Sequence, residues 1–374
     1  MTAKNKITPW VRLGDYIEEC DERNVEGRSL PFYGINKEKT FMPTVADTNQ
    51  LDSSKYKVVG QGVFVFSGMQ TGRDQCIRLA LREDKSPVLI SPAYTTFKMK
   101  DEGKLLPEYL FIFFKRKEMD RYGAFLSDGS IRSNLDWDRF CDIRIPLPSI
   151  EVQQELVNTY TGLKCLAEEN EALIAPLTEA CQAFIVDCQK KYPTVELGKY
   201  IEEYNQLNQD NTIKVVKSVS VTKEFKETGA KVNKNELSGY KIVPPMFISY
   251  VQTTKNEKCF ACALNRLGES IVVTSVNKVL GVRDSRKLSI EYLYLLLTKP
   301  EFDRYAIYHS WGSARETFDW TELCRVSIAL PPPEVQQSIV NLYHCIEEAK
   351  KIASEARVQL QTLCPALIQY AEHN

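Results

Sequence analysis

The sequence predicts an α+β fold in which two repeated lobes alternate with two long helices. Three observations support it: an internal duplication, short strands mixed with helices in each copy, and a heptad pattern of apolar residues after each copy. We expect lobes at residues 1–148 and 192–332, and helices at 149–191 and 333–374. The helices should pair as an antiparallel coiled coil that separates the two α+β lobes.

The duplication is visible in short matching segments. Residues 13–19 read Leu-Gly-Asp-Tyr-Ile-Glu-Glu, and residues 197–203, which lie 184 positions later, read Leu-Gly-Lys-Tyr-Ile-Glu-Glu. Glu-Val-Gln-Gln at 151–154 returns 183 positions later at 334–337. Between these segments the copies differ almost completely, for example at 21–50. The lobes therefore share a scaffold and differ in surface, as expected of related modules with different targets or of loops that have drifted.

Each lobe is predicted from short apolar runs and helical patterns. We expect strands at 63–66, 88–91, 247–250 and 271–276. We expect one helix at 106–121 and its counterpart at 290–305, each with Glu-Tyr-Leu in its first half. Short strands combined with one or two helices indicate α+β lobes.

Each lobe ends in an apolar alternation that runs into proline, and a long helical pattern follows. Ser149 can cap the first helix, and Pro333 suits the first position of the second. About 40 helical residues would form a rod of roughly 60 Å. Pro176 and Pro365 lie within the pattern and are expected to kink the helices.

Apolar residues recur in the two helical segments at alternating steps of three and four. This spacing is typical of a coiled coil rather than of a single domain helix. Asn170 would either fix the register of the seam or face solvent. The predicted seam residues are Leu156, Leu163, Leu166, Asn170, Leu173, Leu177, Ile339, Leu342, Ile346, Ala349, Ala353, Leu360 and Leu363.

The composition is that of a globular protein without a membrane span. The 374 residues are 43% hydrophobic and 26% charged, and no run approaches the ~20 apolar residues of a spanning helix. A secretory signal is not evident at the start, and eleven cysteines, an odd number, suit a reducing compartment, so we expect a cytoplasmic protein. Cys259 and Cys262 are either a zinc pair or two half-buried thiols. With only three histidines in the chain, we expect no metal site.

Polar and basic side chains occur in stretches that differ between the copies, and basic residues slightly outnumber acidic ones in both lobes. Arg and Lys can read guanine, and Gln and Asn can read adenine, in the major groove of DNA. The candidate base-reading residues are Gln70, Arg73, Gln75, Gln252, Lys255, Asn256 and Lys258. The candidate phosphate contacts are Lys98, Lys100, Lys278, Arg132 and Arg315. Both of these arginines end a Gly-Ser-x-Arg segment whose backbone amides would also suit a phosphate. Each residue is alternatively a solvated surface charge, or an arginine that closes a turn through a salt bridge.

The ends of the two lobes resemble a known family. Ile-Pro-Leu-Pro at 145–148 precedes Glu151, Gln153 and Gln154, and Ile-Ala-Leu-Pro at 328–331 precedes Glu334, Gln336 and Gln337. Leu-Gly opens each lobe, at 13–14 and 197–198. Over essentially the whole chain, this layout resembles the specificity (S) subunit of type I restriction–modification enzymes.

The resemblance implies a function for each part. Each lobe would be a target recognition domain that reads one half of a bipartite sequence in double-stranded DNA. The helices would set the gap between the half-sites and dock two modification subunits, which use S-adenosylmethionine to methylate adenine N6. A motor–nuclease subunit can join such complexes. The chain itself would contain no catalytic residue, cofactor or metal.

Two other classes of function are open. A coiled-coil scaffold would bind proteins through the helices and peptides through the lobes. A stand-alone DNA methyltransferase would need an Asn/Asp-Pro-Pro-aromatic motif, which Val-Pro-Pro-Met-Phe at 243–247 does not match. A nuclease would need clustered carboxylates with a lysine, and the grouping of Asp210 with Glu224 and Lys226 has no counterpart in the other copy.

Overall fold

A computed structural model describes residues 8–45, 47–48, 51–229, 231–254, 259–312 and 316–373. The chain divides into two compact units. The first contains Met1–Asn170 and Lys351–Asn374, and the second contains Glu171–Lys350. Each unit therefore holds one lobe together with about half of each long helix.

The first lobe and the first long helix contain the following elements: β1 (Trp10–Arg12), β2 (Ile17–Glu19), β3 (Phe32–Ile35), β4 (Phe41–Pro43), β5 (Lys57–Val59), β6 (Phe64–Ser67), α1 (Thr71–Asp74), β7 (Arg78–Leu81), β8 (Val88–Ile90), β9 (Thr95–Met99), α2 (Pro107–Phe114), α3 (Lys117–Leu126), α4 (Trp137–Cys141), β10 (Arg144–Pro146) and α5 (Ile150–Lys191).

The second lobe and the second long helix contain these elements: β11 (Thr194–Glu196), β12 (Ile201–Glu203), β13 (Lys217–Val219), β14 (Phe225–Glu227), β15 (Lys241–Val243), β16 (Ile248–Val251), β17 (Cys262–Leu264), β18 (Ile271–Val273), β19 (Asn277–Val282), α6 (Ile290–Leu297), α7 (Pro300–Tyr308), α8 (Trp320–Arg325), β20 (Ser327–Ala329) and α9 (Pro333–His373).

The strands of the two lobes pair in corresponding ways. The main sheet of the first lobe has the order β2-β9-β6-β7, and that of the second has the order β12-β19-β16-β17, with antiparallel neighbours in both. The pair β5–β8 corresponds to β15–β18, the hairpin β3–β4 to β13–β14, and the closing pair β1–β10 to β11–β20. The predicted α+β duplication is confirmed, and each of the four predicted strand regions contains a strand.

The main core of each lobe is built from aromatic residues of the sheet and helices. In the first lobe Phe64 stacks on Phe97 of the adjacent strand, with ring centroids 4.8 Å apart. Val65, which points to the opposite face of the same strand, packs in a smaller core with Val59 and Ile90. Strand β6 is buried on both faces, which explains why its sequence is continuously apolar instead of alternating.

The helix predicted at 106–121 is two helices, α2 and α3, and the helix predicted at 290–305 is also two, α6 and α7. The backbone is extended at the residue before the second helix of each pair, with ψ of 139° at Arg116 and 145° at Lys299. In the second lobe Pro300 occupies the first turn of α7, because proline lacks the N–H that a continuous helix would need there.

The long helices are present as predicted. Helix α5 begins directly after Ser149, helix α9 begins at Pro333, and the helical assignment continues through Pro176 and Pro365. Residues near the start of α5 share a core with residues near the end of α9 in the first unit. In the second unit the end of α5 shares a core with the start of α9. This pairing of opposite ends is what an antiparallel helix pair requires. In the described part of the chain, no helix has the length and hydropathy needed to cross a membrane.

One buried glutamine fixes the start of each long helix to its lobe. The Gln153 side chain accepts a hydrogen bond from the Leu106 N–H at 2.9 Å and donates to the carbonyl oxygens of Lys104 (2.8 Å) and Pro148 (3.0 Å). These partners precede α2 and α5, so the amide bridges the two helix starts. The adjacent Gln154 is exposed and bonds only Asn158, one turn along its own helix.

The second lobe repeats this bridge 183 residues later. Gln336 accepts from the Ser289 N–H at 2.8 Å and donates to Lys287 and Pro331 carbonyl oxygens, both at 2.8 Å. The exposed neighbour, Gln337, bonds Asn341 in the next turn. The repeated Gln-Gln pair is therefore one structural glutamine followed by one surface glutamine.

Candidate nucleic-acid interface

Two loops of the first unit are joined into one surface. Loop A1 (residues 68–76) follows strand β6 and contains α1, and loop B1 (residues 127–136) follows helix α3. The Leu135 N–H donates to the Gly68 carbonyl oxygen at 2.9 Å, and the Gly72 N–H donates to the Ser133 carbonyl oxygen at 3.0 Å. The two backbones therefore fix each other's position.

Glycine is required where these loops touch. A Cβ atom at Gly68 would lie 1.8 Å from the carbonyl oxygen of Leu135, and one at Gly72 would lie 2.0 Å from Oγ of Ser133. The first contact is with backbone, which cannot rotate away. A Cβ at Gly129, which lies in loop B1 as well, would have no atom within 4 Å. The close approach is therefore local to the crossing of the two loops.

The second unit contains a corresponding pair. Loop A2 (residues 252–259, described at 252–254 and 259) follows β16, and loop B2 (residues 309–319, described except for 313–315) follows α7. The Phe318 N–H donates to the Gln252 carbonyl oxygen at 2.8 Å, which matches the bond between Leu135 and Gly68 at positions 183 and 184 residues later. The Thr254 N–H donates to the Glu316 carbonyl oxygen at 3.0 Å. The same loop crossing is thus built twice from different sequences.

Loop A1 displays positive charge around one buried carboxylate. The side chain of Asp74 is only 7% exposed and lies 3.0 Å from Arg73 Nε, 2.5 Å from Arg78 Nη2 and 3.5 Å from Lys37 Nζ. The hydrogen bond from Arg73 holds the pKa of the Asp74 carboxyl below its ordinary value. Three cations on one carboxylate leave a net positive surface, which suits an anionic partner.

Loop B1 is organised by Asp128. Its Oδ1 accepts from the N–H groups of Ser130 (3.2 Å) and Asn134 (2.9 Å) and from the Ser130 hydroxyl (2.6 Å). The Ser130 hydroxyl lowers the pKa of Asp128 most, and the backbone bonds add to it. The amide of Ser130, which the sequence offered to a phosphate, is therefore occupied by the loop's own carboxylate, and that part of the prediction is wrong. The Arg132 side chain is exposed.

The sequence model of the family described as Type I restriction modification DNA specificity domain matches residues 11–169. Residues 11–169 are a type I DNA specificity domain. This span contains the first lobe, with loops A1 and B1, and the start of α5. The resemblance drawn from the ends of the lobes is confirmed. The comparison with curated proteins found no match.

Solved structures of specificity subunits are similar to the chain over nearly its whole length. The crystal structure of the type I restriction-modification system S subunit from M. genitalium has a TM-score of 0.61 at 10% identity, and the match covers 100% of this chain and 98% of that one. The HsdS subunit from Thermoanaerobacter tengcongensis has a TM-score of 0.45 at 17% identity, with 98% and 97% covered. The first match shows that the arrangement of both lobes with long helices is a specificity-subunit fold.

The structure brings the predicted base-reading residues of the specificity domain together. Gln70 and Gln75 flank α1 in loop A1, both with left-handed backbone (φ 61° and 48°). The Arg73 guanidinium donates to Oε1 of Gln70 at 2.6 Å. The Gln70 N–H donates to Oδ1 of Asn134 at 3.1 Å, so loop B1 supports this position. Contact of these residues and of Arg132 with DNA stays a prediction.

In the second lobe only part of the predicted set is described. Gln252 and Lys278 are partly exposed, and Lys278 Nζ lies 2.6 Å from Oε1 of Glu203. Lys278 is opposite Tyr250 in the sheet, near the start of loop A2. Lys255, Asn256, Lys258 and Arg315 lie outside the described residues.

Lys98 and Lys100 lie away from the crossing of loops A1 and B1. Strand β9 is antiparallel to β6, with Thr95 opposite Phe66, so loop A1 is next to the start of β9 and Lys100 follows its far end. Lys98 pairs with Glu18 at 3.2 Å, and Lys100 donates to the carbonyl oxygens of Gly14 and Asp15. A phosphate contact by either lysine would therefore lie at a separate place from the two loops.

The predicted seam is correct for α9 and partly wrong for α5. The seam residues that are buried or packed against a core are Leu156, Leu163, Leu177, Ile339, Leu342, Ile346, Ala349, Ala353, Leu360 and Leu363. Leu166 and Leu173 are 43% and 50% exposed, so they do not lie in the seam. Asn170 is partly exposed and donates to the Leu166 carbonyl oxygen of its own helix at 2.8 Å.

The buried stripe of α5 runs one position away from the predicted leucines. It contains Val157, Tyr160, Ala167, Cys181 and Ile185, at steps of three, four or their sums. Successive helical residues differ by about 100° around the axis, so a shift by one position changes the face completely. Small or partly polar residues occupy this stripe, and the leucines beside it form an exposed apolar strip.

Two lysines were missed by the sequence analysis. Lys39 and Lys223 are buried at the tips of the hairpins β3–β4 and β13–β14, and each pairs with an aspartate of the last lobe helix, Asp120 or Asp303. Their spacing of 184 residues equals that of the Leu-Gly lobe openings, which is the signal that could have found them. The dissimilar sequence around them hid it.

The cysteine pair has no metal-site geometry. Cys262 is fully buried in β17, and burial raises the pKa of its thiol to about 12. Among the residues that the structure describes, no group of three or more His, Cys, Asp or Glu side chains could hold a metal ion.

Proposed function

We propose that this chain is a non-catalytic DNA-recognition subunit of a type I restriction–modification complex, in which each lobe reads one half of a bipartite target in double-stranded DNA. One observation carries the proposal. The crossing of loops A and B, with the bond from Leu135 to Gly68 or from Phe318 to Gln252, occurs in both units. In the first unit this crossing belongs to a DNA specificity domain. The second unit has the same construction and different side chains, which suits a different half-site.

The remaining parts of the proposal concern the helices. Helices α5 and α9 would set the gap between half-sites and dock modification subunits, two in number, which bind S-adenosylmethionine and methylate adenine N6. A motor–nuclease subunit would join the same complex. The exposed strip that includes Leu166 and Leu173 supports the docking role, because leucines exposed on a long helix are available to a partner.

An exchange of one lobe tests the proposal. Residues 20–135 should be replaced by the corresponding residues of a specificity subunit with another target. This range moves loops A1 and B1 together, because their backbone bonds join Gly68 to Leu135. The complex with its modification subunits should then methylate a new first half-site with the second half-site and the gap unchanged. Methylation mapping by sequencing measures both.

The alternatives give different results in the same experiment. A protein-binding scaffold would leave the methylated sequence unchanged after the exchange. A stand-alone methyltransferase would methylate DNA without modification subunits when only S-adenosylmethionine is added to the purified chain, and a stand-alone nuclease would cleave DNA when a divalent metal is added. We expect neither activity.

Replacing Gly68 with alanine should disable the first lobe. The added Cβ would overlap the Leu135 carbonyl oxygen, which lies 1.8 Å from its position, so the loop crossing must open. Overpacking of this kind costs about 1–3 kcal/mol, and we expect methylation to fall by about 10-fold or more. Gly129→Ala, which places a Cβ in open space of loop B1, should retain full activity. Methylation rates measure both variants. Equal rates would show that the crossing does not matter for recognition.

A further inference from the structure

A buried lysine at a hairpin tip occurs in both lobes. The side chain of Lys39 is 5% exposed and that of Lys223 is 13% exposed. Both have left-handed backbone, with φ of 61° and 65°. Glycine is the ordinary residue for this conformation, and a lysine is rarely buried. A lysine that is both strained and buried must be compensated by what its side chain contacts.

The two hairpins have the same geometry and different sequences. In the first, the Asn36 N–H donates to the Thr40 carbonyl oxygen at 3.1 Å, and the Lys39 N–H donates to the Asn36 carbonyl oxygen at 3.3 Å. In the second, Ser220 and Lys223 form the matching bonds at 2.9 and 3.0 Å. The lysine is the residue that both turns share.

Each lysine reaches an aspartate that also holds the end of loop A. Asp120 Oδ1 accepts from Lys39 Nζ at 2.6 Å and from the Ile77 N–H at 2.9 Å. Ile77 is the first residue after loop A1. The single oxygen therefore joins the hairpin tip, helix α3 and the end of the loop.

The second lobe repeats the arrangement. Asp303 Oδ1 accepts from Lys223 Nζ at 2.5 Å and from the Phe260 N–H at 2.8 Å, and Phe260 is the first residue after loop A2. Lys223 Nζ also donates to the Phe260 carbonyl oxygen at 2.7 Å. The two copies differ in their surroundings and agree in the lysine, the aspartate and the amide.

We propose that Lys39 and Lys223 are positioning residues for DNA recognition, each acting through its aspartate on the adjacent loop A. The inference rests on the proposed function. Without the lysine, a mostly buried carboxylate would lose its counter-charge and draw toward solvent, which would release the loop amide it holds. Loop A would then be less precisely placed against a base, while the fold of the other lobe would be unaffected.

The test is Lys39→Met in the full complex with modification subunits. Methylation is measured on duplexes that carry a single base change in one half-site or the other. We expect discrimination at the first half-site to fall by about 10-fold or more, because small misplacement of a positioned group has effects of this size. Discrimination at the second half-site should be unchanged. Lys223→Met should give the converse result. Lys85→Met, which removes an exposed lysine of the first lobe, is the charge-matched control.

A double variant separates positioning from folding. Lys39→Met with Asp120→Asn keeps an oxygen that can accept from the Ile77 N–H and removes the uncompensated charge. We expect it to recover discrimination at the first half-site, even where the single variant fails to assemble. A folded double variant without discrimination would overturn the proposal, as would a Lys39→Met complex that discriminates like the wild type. A wild-type complex without preference at the first half-site would instead contradict the proposed function.

Discussion

Replacing Ile339 with glutamate is expected to unfold the second unit. Ile339 is fully buried in the core that α9 shares with the end of α5. Loss of the buried apolar side chain costs about 2–5 kcal/mol, and burying a charge adds to it. Since domains are stable by only about 5–15 kcal/mol, we expect most of the unit's stability to be lost. Urea unfolding followed by circular dichroism measures the change.

Leu173→Glu is the matched control in the same unit. The heptad pattern places Leu173 in the seam, whereas the structure leaves it 50% exposed. An exposed substitution typically changes the free energy of unfolding by less than about 0.5 kcal/mol. If Leu173→Glu unfolds the unit as Ile339→Glu does, the leucine seam is correct and the stripe of Ala167, Cys181 and Ile185 is not. Leu173→Glu should still weaken binding of modification subunits.

The choice of stripe in α5 shows what the sequence could predict about the helices. Their existence, length and start at Ile150 and Pro333 follow from the heptad spacing and the proline junction. Several faces of α5 carry apolar residues, and leucine content favours the wrong one. The buried face contains Ala167, Cys181 and Cys188, whose small side chains fit where neighbouring elements approach closely. The shape of the opposing surface decides this, and spacing does not contain it.

The loops show a similar division. The variable stretches after β6 and β16 were identified from polar residues, and the structure places the first of them against a second loop. The crossing itself depends on Gly68 and on backbone hydrogen bonds, which leave no pattern in side-chain chemistry. The buried Lys39 was missed because lysine is ordinarily a surface residue. Only the spacing of the duplication connects it with Lys223.

Replacing Gln153 with alanine should destabilise the first unit strongly, whereas Gln154→Ala should not. Gln153 is fully buried and makes three hydrogen bonds, to Leu106, Lys104 and Pro148. Alanine would leave one N–H and two carbonyl groups without this partner, and an unsatisfied buried group costs about 1–3 kcal/mol. We expect a loss of about 2–4 kcal/mol in the free energy of unfolding, from the same range.

The neighbouring glutamines make this comparison internal to one sequence motif. Gln154 bonds only Asn158 on the exposed surface of α5, and such a pair contributes about 0.2–0.5 kcal/mol. Gln336→Ala and Gln337→Ala should repeat the contrast in the second unit, because the bridge is built with the same three types of partner. Denaturant midpoints of the four variants measure it. Equal losses for both members of a pair would mean that the bridge between the helix starts contributes nothing. A loss confined to Gln153 and Gln336 would show that the duplicated motif is kept in this chain for anchoring each helix to its lobe.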